Sequence, residues 1–331
     1  MSKKYELTDE KIEHKGKTLY RIKALKDFLN VEKGDLGGYV EDYTNLSQDD
    51  NCWIYNDAKV YDNARIYDNV KIYGNAKIYD KVEIYDYAEI GGNAEIYGNA
   101  EVYGKAKVFG NVEVHNNAKI FNDARIHGHA KIYGNAKIYE EAEISDNVEV
   151  YGRAKIYGLV EVYGNAKIYD NAEVYGRAKV LNNAEIACRA QIYGNAQVFG
   201  NAIVSNSAKV YDYAVVFDYA QVYDHAIVCG NAEIFCNAKI SGNAIINKSY
   251  KITGKVIDKF DDILEIRNPE GRLVTAILRN GEILYSIGCQ DEITEKVFKD
   301  RIENENGGLE KNPHREYYYR IIEMVKFYFK K

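Results

Sequence analysis

Apolar and polar residues alternate along most of this chain inside a period of six. From Ile54 to Ile252 every sixth residue is Ile or Val, at 34 successive positions and without one slip of phase. Four residues after each stands a small Ala or Val, as in Ala58, Ala64, Val70 and Ala76, and this continues to Ala244. In a unit such as Asn75-Ala76-Lys77-Ile78-Tyr79-Asp80, the Ala-Lys-Ile-Tyr run reads in, out, in, out, which is the period of a short strand. The next two residues are Gly or Asp and then usually Asn. These types accept positive φ and turn a corner at low steric cost. A side of four residues and a corner of two, repeated, makes a chain that winds rather than one that pairs in hairpins. Three sides close a triangular coil of about 18 residues whose interior is filled by aliphatic and small residues. Coils stacked at about 4.8 Å give about eleven turns and a prism roughly 50 Å long. Each buried Ile or Val contributes about 1.5–3 kcal/mol against ordering costs of similar size, so stability grows with stacking between neighbours.

The ends break the pattern. Residues 1–52 read as an N-terminal cap, in which Tyr5–Leu7 and Leu19–Ala24 form a small hairpin around His14-Lys15-Gly16-Lys17. The segment from Asp35 to Tyr55 then brings aliphatics into register. A cap is required because the first coil would otherwise expose a bare strand edge. Residues 53–252 are the prism and residues 253–331 a small α+β domain. In that domain Val256–Ile266, Arg272–Leu278 and Glu282–Ile287 read as strands, separated by Asn268-Pro269-Glu270-Gly271 and Asn280-Gly281. Glu292–Glu303 reads as a helix. A second helix starts near Pro313 and carries Tyr318, Ile321, Ile322, Val325, Tyr328 and Phe329 on one face.

The hexad resembles that of the hexapeptide-repeat family of left-handed parallel β-helices. Handedness follows from that resemblance, since generic crossover rules favour a right-handed wind. One departure is systematic: the residue after the aliphatic is mostly Tyr here, where the family usually has Gly. The entry segment Asp35–Tyr55 and the Ile287-Gly288-Cys289 strand end resemble uncharacterised hexapeptide proteins of phages, prophages and bacterial genomes. That second resemblance implies no established activity.

Composition narrows the classes. The chain has 331 residues, a formal net charge of −6 and 31 tyrosines. No apolar run is long enough to span a membrane, and Met1-Ser2-Lys3-Lys4-Tyr5 does not start a secretory signal, so a cytoplasmic location is expected. The five cysteines (Cys52, Cys188, Cys229, Cys236 and Cys289) are odd in number and lack CxxC spacing, as expected of reduced thiols. A pI of about 5.7 gives no general attraction to nucleic acid.

Positions 18 apart stack, which places aromatic residues in outward columns. One column runs Tyr61, Tyr79, Tyr97, His115, Tyr133, Tyr151, Tyr169. A second runs Tyr67, Tyr85, Tyr103, Phe121, Tyr139, Tyr157, Tyr175, Tyr193, Tyr211. A third is mixed and includes Tyr55, Tyr73, Gly91, Phe109, His127, Tyr163, Phe199, Phe217 and Phe235. Such ladders stiffen flat faces, and Tyr-rich faces also bind partners. The charged columns beside them alternate in sign (Lys59, Lys77, Glu95, Glu113, Lys131, Glu149), so a nucleic-acid groove is not expected. Toward the C-terminal end the outward positions turn apolar at Ile203, Val215, Ile227 and Ile245. Burial is expected there, beneath the C-terminal domain or in an oligomer.

Many hexapeptide proteins are acyltransferases with a catalytic His beside an extended loop. The candidates here are His115, His127, His129 and His225. His115 and His127 fall at ladder positions, while His127 and His129 share a corner where a weak metal or general-base site is conceivable. No loop interrupts the hexads to cover a cofactor, and neither cofactor nor metal is expected. The sequence therefore favours a non-catalytic rigid solenoid acting as a structural or protein-binding module. Its candidate interface includes Tyr139, Tyr157, Tyr175 and Tyr193 with the apolar patch. The alternatives are an acyltransferase using CoA esters and an oligomer that sequesters a small ligand.

Overall fold

A computed structural model describes residues 3–247, 251–253, 256–257, 263–267, 273–279, 282–287, 290–304 and 315–329. Its body is a parallel β-solenoid of about twelve coils with three faces. The first face runs through Lys59–Val60, the second through Arg65–Ile66 and the third through Lys71–Ile72. Residues pair with those 18 places on: Val60 with Ile78, Ile66 with Ile84 and Ile54 with Ile72. A slip of one residue would turn every aliphatic outward, and this fixes the register. Regular strands are mostly two residues long, shorter than the four-residue side read from the hexad. The hydrogen-bond ladder nevertheless continues past them. Lys59 N–H donates to the Ala76 carbonyl at 2.8 Å and Tyr61 N–H to the Ile78 carbonyl at 3.0 Å.

Every hexad aliphatic from Ile54 to Ile252, and every small residue from Ala58 to Ala244, is buried in one continuous core. The corners take positive φ, as at Asn56 (58°), Asp62 (57°) and Gly74 (72°). Coil stacking crowds them: a Cβ on Gly74 would stand 2.7 Å from the Gly92 carbonyl oxygen. Where Asp occupies this position its carboxylate reaches along the corner. Asp80 Oδ2 accepts from Gly98 N–H and Asp86 Oδ2 from Gly104 N–H, both at 3.0 Å. The following Asn residues form amide ladders, as in Asn147, Asn165, Asn183 and Asn201, linked at 3.0–3.1 Å.

The N-terminal end is closed by β1 (Tyr5–His14) and β2 (Lys17–Ala24), an antiparallel hairpin, followed by β3 (Leu36–Val40). β2 pairs antiparallel with β3, and β3 pairs parallel with Lys59–Val60, so the wall of the first face begins at β3. Trp53 lies beneath Phe28 and Tyr5, with ring centroids 5.4 and 6.3 Å away. Lys4 is only 1% exposed, and its ammonium donates to the Asp50 and Cys52 carbonyls at 2.8 and 2.9 Å. Burial lowers its pKa and raises that of the adjacent Cys52 thiol.

At the other end Lys251–Thr253 and Val256–Ile257 extend two solenoid sheets. A four-stranded antiparallel sheet follows, formed by Ile263–Arg267, Leu273–Arg279, Glu282–Ile287 and Gln290–Thr294. The last strand occupies the beginning of the helix read from sequence. Tyr285 pairs with Ile293 and Leu284 with Thr294, and Thr294 Oγ1 then accepts from Val297 N–H at 3.4 Å. That cap starts α1 (Glu295–Asn304) one residue later. α2 (Arg315–Phe329) packs Tyr318, Ile321, Ile322 and Val325 with Phe298, Ile302 and Tyr285. Ile277 instead joins the solenoid's own core cluster, which ties this domain to the prism. Cys289 and the Asn268–Gly271, Asn280-Gly281 and Pro313 signals lie outside the described residues.

Candidate functional site

Each corner delivers the residue after the aliphatic to the outer surface at a fixed height, so rings 18 residues apart face one another. On the first face seven rings from Tyr61 to Tyr169 stack without a break, at centroid spacings of 4.7–5.1 Å. His115 is one of the seven, between Tyr97 and Tyr133. On the second face nine rings from Tyr67 to Tyr211 stack at 4.7–5.2 Å, with planes within 6° of parallel. The third face is broken. Phe199, Phe217 and Phe235 stack, whereas Tyr73 leans across Gly91 to reach Phe109 at 5.9 Å. Spacing wider than ring thickness means the rings are offset, the arrangement their quadrupoles favour.

Half-burial makes the ladder phenols poor acids. Burial, with nearby carboxylates and neighbouring phenols, pushes Tyr157 up to about 12, and burial with nearby carboxylates does the same for Tyr67. Tyr79 is raised further, first by burial and then by donating its hydroxyl to Glu95 Oε1 at 2.8 Å. For Glu95 burial works in the opposite direction, but hydrogen bonds from Tyr79 and Lys15 and the charge of Lys77 hold its carboxyl below the usual range. The ladder phenols are therefore neutral, hydrogen-bonding groups at physiological pH. The columns beside them carry ion pairs one coil apart, including Lys107–Glu89 at 3.3 Å and Lys179–Glu161 at 2.8 Å. At such exposure each contributes about 0–1 kcal/mol.

The first-face ladder already has a polypeptide lying on it. The hairpin folds back along this face, and Leu19 is buried with Tyr39 and Tyr61 while Ile12 and Tyr79 pack alongside. His14 meets the edge of Tyr61 at 5.4 Å. Lys15, at the turn, places its ammonium 4.5 Å from the Tyr79 ring centre and 3.2 Å from Glu95 Oε1. Lys17 bridges Glu41 and Asp62. No local signal places the hairpin over the ladder, because nothing in Lys15-Gly16 specifies where a turn lands.

The remaining candidates are dispersed. His127 Nε2 lies 3.3 Å from Glu143 Oε1, and His129 sits at a corner where its backbone N–H donates to the Asp146 carbonyl. Among the described residues no group of three or more His, Cys, Asp or Glu is arranged to hold a metal ion. His225 likewise occupies a corner, donating its backbone N–H to Gly242. Ile227 and Ile245 are direct cross-strand partners. Ile245 is 37% exposed, while Ile203, Val215 and Ile227 are half-buried. No helix among the described residues is long and apolar enough to cross a membrane.

A family model described as "YdcK Beta solenoid repeat" matches residues 190–206 and 196–212. The chain is similar to that repeat over these coils. No curated protein matches the chain.

Proposed function

We propose that this protein is a non-catalytic, rigid β-solenoid that binds a protein partner along its aromatic faces. One observation carries the reading: the chain's own hairpin occupies the first two rungs of the first-face ladder through aliphatic packing, a lysine over a ring and an ion pair to Glu95. Beyond it Tyr97, His115, Tyr133, Tyr151 and Tyr169 continue the same surface. Preformed, half-buried aromatic rows suit recognition because little side-chain entropy is lost on binding. The resemblance of both ends to phage and prophage proteins supports a host factor as the partner, met in the cytoplasm.

The test is affinity capture from the native host, comparing wild type with a Tyr133→Ala/Tyr151→Ala variant. A partner retained by wild type and lost by the variant supports the reading. Turnover of acyl-CoA that disappears in His127→Ala would replace it with the acyltransferase alternative. Stabilisation of an oligomer by nucleotides or sugars, without turnover, would favour ligand sequestration.

A further inference from the structure

We infer that the second face carries a binding site for an elongated planar aromatic anion, seated along the solenoid axis between Lys119, Lys137 and Lys155 and the rings of Phe121, Tyr139 and Tyr157. Three observations meet at these coils. The first is charge. Lys119, Lys137 and Lys155 are direct cross-strand neighbours, an arrangement in which like charges repel. Lys119 turns one way to Glu101 at 2.7 Å and Lys155 the other way to Glu173 at 2.8 Å. Lys137, between them, is exposed, with no carboxylate within ion-pair distance among the described residues. The first face, by contrast, alternates Glu113, Lys131, Glu149 and Lys167 down its column.

The second observation is shape. At these coils the strands lengthen beyond the usual two residues, to Lys137–Tyr139, Lys155–Gly158 and Glu173–Gly176. Tyr139, Tyr157 and Tyr175 become paired strand residues, and Gly158 pairs with Gly176. Backbone pairing therefore extends to the ring-bearing residues here and fixes their row. The third is an open groove of about 710 Å³ at the adjoining corner, where Leu159 replaces the usual Asn and is 45% exposed. That corner is mixed in charge, with Lys105 and Arg177 against Asp123, Glu140 and Glu141. The ligand's anionic groups accordingly face the lysine column, while the Leu159 corner flanks the ring row on its other side.

The chemistry of the ligand follows from what the ladder leaves free. Phe121, Tyr139 and Tyr157 use their ring faces on one another, at 4.8 Å spacings and within 5° of parallel. Their edges remain, in a row along the axis. A flat aromatic ligand offers its π face to such edges, while the lysine methylenes cover its other side and their ammonium groups meet its anion. The uncompensated Lys137 ammonium repels a cation, and a bulky saturated ligand cannot lie flat against the row.

The experiment titrates the full chain with anthracene-2-sulfonate, followed by fluorescence anisotropy, beside the cationic planar dye thioflavin T. Binding of the sulfonate is expected at about one per chain, weakening as salt rises. Affinity should fall roughly tenfold or more in Lys137→Glu and in Tyr157→Ala, and less in Lys137→Gln, with Lys131→Glu on the first face leaving it unchanged. Circular dichroism of each variant confirms that the solenoid is intact. The inference is overturned by equal sulfonate affinity in wild type and Lys137→Glu, by an equal loss in Lys131→Glu, or by tighter binding of thioflavin T than of the sulfonate.

Discussion

Replacing Ile138 by Ala tests whether the solenoid is stabilised coil by coil. Ile138 is fully buried and stands in register between Ile120 and Ile156. Three carbons are removed, and at about 0.8 kcal/mol each the lost transfer energy is about 2.4 kcal/mol. The void cannot close along the axis, because the coils above and below are held by ladder bonds such as Lys119 N–H to Ala136 O and Lys137 N–H to Ala154 O, both 2.9 Å. An unrelaxed cavity of about 60 Å³ adds about 1.5 kcal/mol, for a total near 4 kcal/mol. Each coil touches only its neighbours, so the loss should stay local. Native-state hydrogen exchange read by mass spectrometry resolves this. Amides between Lys119 and Ile156 should lose about 3–4 kcal/mol of protection, while those of the terminal coils change by less than about 0.5 kcal/mol. An equal loss in every coil would show a single cooperative unit and refute the nearest-neighbour reasoning. A loss below about 1 kcal/mol would show a core that collapses freely.

Three further predictions probe the surface and corners. Gly91→Ala places a Cβ 2.1 Å from Tyr73 Cε2, so the ring must swing away from Phe109. The expected cost of about 1 kcal/mol in thermal melts should vanish in a Tyr73→Ala background, and additive single effects would contradict it. Glu140 holds φ at 60° without the local hydrogen-bonding advantage of Asn. Glu140→Asn should therefore raise the denaturant midpoint by the equivalent of about 0.5–1 kcal/mol, and a lower midpoint would reject the strain argument. Burial pushes Tyr67 and Tyr157 up to about 12, above the unfolded value of about 10. Stability from these phenols is complete below pH 10 and lost as pH rises toward 12, so urea melts at stepped alkaline pH should show a decline across that window. Constant stability there would mean the rings ionise without cost.

Much of the architecture was legible because one period specified it three times over. The aliphatic, the small residue and the corner pair each repeat every six positions, and any one alone would have set the register. The aromatic columns were legible for the same reason, since residues 18 apart must stack once the coil is triangular. What could not be read was whatever depends on contacts between the repeat and something outside it. Lys15 landing on Tyr79 and Glu95 is a tertiary event with no local signal. The strand at Gln290–Thr294 was hidden by an acidic, helix-like composition that pairing with Leu284 and Tyr285 overrode. The patch near Lys137 was not read from the sequence, although Gly158-Leu159-Val160 departs from the Gly-Asn-Ala corner. Its meaning needed the groove and the unpaired lysine beside it.

These departures also explain where specificity can reside in such a fold. A perfect repeat offers the same surface at every height, so a ligand would find many equivalent positions and no preferred one. Position is created only where neighbouring coils deviate together. On the first face the hairpin ends the equivalence by covering Tyr61 and Tyr79 and leaving the later rungs uncovered by it. On the second face the lysine run, the lengthened strands and Leu159 fall within a few successive coils and break it again. Parallel stacking makes this economical. A change at one position is placed beside its counterparts 18 residues away, so two or three substitutions in separate repeats assemble into a single contiguous site without altering the core. Binding specificity can then vary while the buried hexad, and with it stability, stays constant. This separation predicts that exchanging Lys119, Lys137 and Lys155 together for Gln would weaken sulfonate binding on the second face in the anisotropy titration and leave the Ile120–Ile138–Ile156 stack undisturbed.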